Sequence, residues 1–125
     1  PSKLAMQRFR ATPPGGDKRA IMQTHPELAV PSWWRSPTAV TDVWGRIRRE
    51  QPSNTLRTDF QNPSKGRYVH PTQNRVITLR EGARLQGIPD HWELCGFPTQ
   101  IARQIGNGVP VPLGRAVARS VLAVA

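Results

Sequence analysis

The sequence predicts an α+β fold: a small irregular antiparallel sheet with basic loops, followed by short helices and a C-terminal helix. Three observations predict it. Short β-prone pieces recur between Val40 and Val76, cut by Gly, Pro and Asn. Thr78 followed three residues later by Glu81 marks a helix start. Leu113, Val117, Val121 and Val124 then recur at helical spacing.

Taken in order, the first forty residues read as irregular. Leu4, Ala5 and Phe9 suit a short helix from Ser2 to Arg10, stopped by the breaker Thr12-Pro13-Pro14-Gly15-Gly16. Another helical turn fits Met22 to Leu28, before Pro31. Strand-like pieces follow at Thr41 to Trp44 and Thr55 to Thr58, separated by Gly45, Pro52, Asn62-Pro63 and Lys65-Gly66. Thr78 and Glu81 then form a capping box, and Gly87 is placed as a left-handed terminator with Pro89 as a stop. Thr99 is expected to cap a further helix through Ile101 and Ile105, ended by Gly106-Asn107-Gly108. Pro110 and Pro112 lead into the last helix, whose apolar stripe must bury against something.

Composition narrows the partners. The chain of 125 residues carries 18 Lys and Arg against 8 Asp and Glu, a formal charge of +10. Fifteen of the 18 bases are Arg, whose planar fork suits phosphate and guanine. Such a balance points to a polyanion, and a plain solvated basic surface is the alternative. Hydrophobic residues make up 37%, and thirteen prolines with ten glycines imply a loop-rich chain with a small core. No long apolar run or basic amphipathic helix suggests a membrane. Cys95 is the single cysteine, which excludes an intrachain disulfide, and no secretory signal is visible, so a cytoplasmic location is expected. The chain starts at Pro1 without methionine, as a fragment or processed product does. His25, His70 and His91 lie far apart without zinc-ligand spacing, so no metal site is expected.

Two runs look like a family signature. RVITLREGARLQGIPD, from Arg75 to Asp90, resembles the ninth sequence block of the DNA (cytosine-5) methyltransferases, with Ile88 at the usual aromatic position. QIGNGVPVPLGRA, from Gln104 to Ala116, resembles their tenth block, with Gly108 for the usual Ala or Ser. A weaker resemblance runs from Thr41 to Gln73. The resemblance covers the chain from Thr41 onward.

Enzymes of that family flip a cytosine out of the duplex, add a Pro-Cys thiolate to the ring, and take the methyl from S-adenosylmethionine. This sequence has no Phe-x-Gly-x-Gly loop, Pro-Cys dipeptide or Glu-Asn-Val segment. The resemblance therefore implies the C-terminal part of such an enzyme, inactive alone and containing no catalytic residue. Cys95, in the run ELCG, does not match the nucleophile's motif and is expected to be a small buried or half-buried side chain. The implied organisation is 1–40 as the start of the target recognition region, 41–90 as that region with the ninth block, and 91–125 as the tenth block with a C-terminal helix. That helix would pack on a Rossmann-like methyltransferase domain held in the same or a separate chain. Double-stranded DNA is the other implied partner.

The resemblance also assigns residues. Thr55-Leu56 matches the dipeptide that ends the recognition region, so Thr55 and Arg57 are implied DNA-backbone contacts. A simple strand preference is the alternative for Thr55. Arg46, Arg48, Arg49, Lys65 and Arg67 are candidate phosphate or base contacts. Thr78, Arg80, Glu81, Arg84 and Gly87 are read as structural. Asn107 and Gly108 are implied to line the S-adenosylmethionine pocket; an Asn-Gly turn chosen only for positive φ is the alternative. A non-catalytic DNA-binding module and an inactive remnant remain as other readings of the whole chain. The recognised DNA sequence, including whether it is a restriction–modification site, is not legible.

Overall fold

A computed structural model describes residues 1–124, which divide into two compact units. The first comprises Pro1–Thr55 and Phe60–Ile77, the second Leu56–Asp59 and Thr78–Ala125. Helices dominate both. The expected antiparallel sheet is absent among the described residues: only two isolated bridges occur, Arg46 with Val69 in parallel and Val69 with Val76 antiparallel.

Local chemistry sets the three helices of the first unit. In α1 (Lys3–Ala11) the Ser2 hydroxyl accepts from Ala5 N, and at the far end the Thr12 hydroxyl donates to Arg8 O before Pro13 blocks continuation. In α2 (Lys18–Thr24) the Asp17 carboxylate caps Arg19 N at 2.9 Å. A 3-10 turn at Pro26–Leu28 and the five-residue α3 (Pro31–Arg35) each begin on proline, whose fixed φ suits a first helical position. Their inward faces supply Phe9, Ile21, Met22, Leu28 and Trp33, which bury together with Val43, Trp44 and Val69. Trp44 packs on Phe9 and Trp33 with ring centroids 5.4 and 6.5 Å apart. The Arg8 guanidinium lies 5.3 and 5.1 Å from the centroids of Trp33 and Trp44 while its Nε donates to Leu28 O. A buried cation over two rings contributes on the order of 2 kcal/mol.

The sheet fails for reasons visible in the backbone. Thr41 to Trp44 folds as a turn, and Trp44 has φ 56, a left-handed value incompatible with a strand. Pairing around Val69 is one residue deep: Val69 N donates to Gly45 O, Ile47 N to Val69 O, and Ile77 N to Tyr68 O. Beyond it, side chains rather than strands satisfy the carbonyls. Arg67 Nη1 donates to Gly15 O, Gly16 O and Arg46 O, and Lys18 Nζ donates to Ser36 O and Ala39 O. Basic side chains are the donors for these partly buried carbonyls.

In the second unit, α4 (Leu79–Leu85) begins with a full capping box: Glu81 N donates to Thr78 Oγ1 at 3.1 Å and Thr78 N to Glu81 Oε2 at 2.7 Å. It ends at Gly87, φ 73, where Ile88 N donates to Ala83 O and Gly87 N to Arg84 O. That six-to-one and five-to-two pair needs a left-handed residue, which glycine supplies without a Cβ clash. Helix α5 (Pro98–Asn107) packs on α4 through Ile101, Ala102 and Ile105. It starts earlier than Thr99: Pro98 takes the first position and Gln100 Oε1 accepts from Phe97 N. Cys95, just before it, is exposed rather than buried or half-buried. Helix α6 (Val111–Leu122) buries none of its residues, and Leu113, Val117 and Val121 are more than half exposed.

Candidate functional site

The polar face of α5 is a candidate site. Gln100, Arg103, Gln104 and Asn107 line an open cleft of about 400 Å³. Their spacing of three, four and seven places them on one helix face, away from the buried Ile101, Ala102 and Ile105. Asn107 is exposed at the last helical position. Gly108 follows with φ −69 and ψ 145, an extended conformation, so the positive-φ explanation for this Asn-Gly pair does not apply. The three carboxamides offer donors and acceptors together, and Arg103 adds a planar donor suited to an anionic oxygen. This set fits the edge of a polar ligand. Among the described residues no three His, Cys, Asp or Glu side chains come together for a metal, and no helix is long and apolar enough to cross a membrane.

The turn carrying Asn107 is held from α4. Gln86 Nε2 donates to Ile105 O at 3.0 Å and to Gly108 O at 3.2 Å, and Ile105 O also accepts from Gly108 N. Arg80 and Arg84 act within the same unit. Arg84 makes a two-pronged ion pair with Asp90, 2.8 Å on both prongs, and Arg80 donates to the carbonyls of Pro89 and Trp92. Both tie the loop after Gly87 back to α4. The Arg84 bond holds the Asp90 carboxyl below its usual range. Arg57 is exposed, and its peptide to Thr58 lies against Gly106, one residue before Asn107.

The basic candidates of the first unit separate into two groups. Arg46 is only 5% exposed, and all five of its N–H donors are engaged. They reach Thr12 O, His70 O, Gln73 O, Phe9 O and Asn74 Oδ1 at 2.6 to 3.0 Å. Arg67, besides its three carbonyl contacts, pairs with Asp17 at 3.2 Å. Both guanidiniums are turned to acceptors of their own unit, and each staples the backbone. Arg48, Arg49 and Lys65 are exposed. Arg48 donates to Gln51 Oε1, and Arg49 stands 3.5 Å from Glu50 in a solvated pair. Thr55 is also exposed, with its carbonyl accepting from Tyr68 Oη at 3.2 Å.

Asp17 is the electrostatic hub of that unit. Burial pushes its carboxyl up, but hydrogen bonds from the Arg19 side chain and backbone, with the charges of Arg19 and Arg67, outweigh burial and hold it below the usual range. Desolvation lowers the Arg46 guanidinium somewhat, without an acidic partner to oppose it.

Sequence reasoning did not single out Gln86, Gln100, Arg103, Gln104 or Gly106. A signal was present: Gln100, Arg103, Gln104 and Asn107 are polar at helical spacing opposite an apolar face, once α5 is taken to begin at Pro98.

Comparison with known proteins gives the chain a family. The sequence model of the C-5 cytosine-specific DNA methylases matches residues 16–123. The type II methylase M.HgiDII of Herpetosiphon aurantiacus is 32% identical over 94% of this chain and 34% of its own length. The putative DNA (cytosine-5)-methyltransferase CMT1 of Arabidopsis thaliana is 43% identical over 59% of this chain and 9% of its own. The DNA (cytosine-5)-methyltransferase 1B of Oryza sativa subsp. japonica is 45% identical over 62% of this chain and 5% of its own. The chain belongs to the C-5 cytosine-specific DNA methylase family, and it spans about a third of the bacterial relative's length.

Proposed function

We propose that the chain is the C-terminal portion of a DNA cytosine-5 methyltransferase, supplying DNA target recognition and one wall of the S-adenosylmethionine pocket. The observation that carries this reading is the exposed carboxamide face of α5 ending at Asn107, on a turn that Gln86 pins to the capped helix α4. S-adenosylmethionine, when bound, supplies the methyl group; Asn107, with the backbone of Gly108, meets its polar edge. Arg48, Arg49, Lys65, Thr55 and Arg57 contact the DNA backbone, and their exposure supports that role.

The Pro-Cys nucleophile and its companions belong to another segment, in the same or a separate chain, because no Pro-Cys dipeptide occurs in these 125 residues. The exposed stripe of α6 is the surface on which that segment packs. The test mixes this chain with a segment bearing the missing blocks and follows labelled methyl from S-adenosylmethionine into duplex DNA. Transfer that requires both parts supports the reading. A stable complex that binds DNA without transferring methyl would instead make the chain a non-catalytic DNA-binding module.

A further inference from the structure

The segment Leu56–Asp59 crosses α5 at its last turn, and glycine is what lets it pass. A Cβ at Gly106 would lie 2.5 Å from both C and O of Arg57 and 2.6 Å from Thr58 N. All three are backbone atoms, so no rotamer change relieves the clash. Gly106 sits inside the helix without positive φ, where glycine is a poor helix former. Its presence is explained by the close approach of the Arg57–Thr58 peptide, not by local conformation. Gln86 Nε2 holds Ile105 O and Gly108 O, the carbonyls on either side of Gly106-Asn107.

We propose that Gly106 is a positioning residue that seats the Arg57–Thr58 peptide on the turn carrying Asn107. The DNA-contacting Arg57 and the cofactor-facing Asn107 are then placed as one piece, so that ordering either ligand site orders the other. This inference rests on the reading of Arg57 as a DNA contact given above. The seating itself rests on geometry alone.

Two measurements on the full 125-residue chain test it. The first compares binding of a short fluorescent DNA duplex by wild type, Gly106→Ala, Arg57→Ala, the double variant and Gly114→Ala. A Cβ at Gly114 meets nothing nearer than Val109 Cγ1 at 3.9 Å, so that variant controls for adding a methyl to a helix. We expect Gly106→Ala to lose as much affinity as Arg57→Ala, on the order of tenfold. The double variant should bind no more weakly than Arg57→Ala, and Gly114→Ala like wild type. Losses that multiply in the double variant, or wild-type binding by Gly106→Ala, overturn the positioning role, because residues acting through one contact are not additive.

The second measurement needs neither DNA nor a variant: a nuclear Overhauser contact between the Gly106 Hα protons and the Thr58 amide proton of the wild-type chain. Its presence supports the seating, and its absence overturns it even if Gly106→Ala fails to fold. If the wild-type chain binds no DNA while the contact is present, the DNA reading of Arg57 falls and the seating stands.

Discussion

Nη2 of Arg46 donates to the carbonyl oxygen of Phe9 at 2.6 Å, joining residues 37 positions apart. The same guanidinium closes four further acceptors, so one side chain does the work of several ladder bonds. Arg46→Ala leaves the Thr12 and Phe9 carbonyls buried and unmet, and should destabilise the chain by about 3 kcal/mol. Arg46→Lys should recover only part of this, since an ammonium cannot span five acceptors. Urea denaturation of the three proteins checks both statements; a loss under about 1 kcal/mol for Arg46→Ala would show that water replaces the guanidinium.

The exposed bases should behave in the opposite way. Arg48→Ala, Arg49→Ala and Lys65→Ala should each leave stability within about 0.5 kcal/mol of wild type. Each that meets a phosphate should also reduce the slope of log affinity against log salt by about 0.9. DNA titrations at several salt concentrations read this directly. Unchanged slopes in all three would place the DNA surface elsewhere.

Asp17 predicts a pH dependence. Its folded-state carboxyl lies below the ordinary value, so its stabilising effect is present above the unfolded pKa of roughly 4. That effect is lost as pH falls through the depressed folded value. Asp17→Asn keeps a side chain able to cap α2 but loses the charge facing Arg19 and Arg67. The variant should be less stable than wild type at pH 7, with the gap closing as pH falls below the unfolded value of roughly 4. Thermal melts across that range decide it, and a gap that persists at low pH would assign the loss to packing.

The ends of α4 are a local test. Thr78→Ala removes the hydroxyl that accepts from Glu81 N and should cost about 1 kcal/mol. Gly87→Ala should cost a similar amount, about 1 kcal/mol, through its positive φ rather than a clash, the nearest atom being Pro112 Cδ at 3.5 Å. Equilibrium denaturation reads both effects; a neutral Gly87→Ala would mean that the left-handed turn is not retained in solution.

What could be read in the sequence follows from the range of the forces involved. The capping box at Thr78 and Glu81 and the terminator at Gly87 are signals within a few residues, and the chain obeys them. The sheet that the β-prone side chains suggest does not form, because such side chains do not reveal where backbone acceptors find their donors. Around Val69 the donors come from Arg46 and Arg67, whose partners lie 21 to 52 residues away. The same distance hid the difference between stapling and exposed arginines. Arg46 and Arg48 are two positions apart and chemically identical, yet one is buried and the other solvated. Asn107 was conspicuous within its run, but the carboxamide face around it depends on α5 beginning at Pro98.

The proposal that this chain completes a site for methylating cytosine at C5 can be tested at the reacting atom. The most direct measurement supplies the chain and a segment with the missing blocks with duplex DNA tritiated at cytosine C5, then follows tritium released to water. A methyl group entering at C5 must displace that hydrogen. S-adenosylmethionine-dependent release is expected only when both parts are present, with Asn107→Ala raising the S-adenosylmethionine concentration needed for half-maximal rate. Methyl incorporation without tritium release would contradict it, as would release at the same rate without this chain.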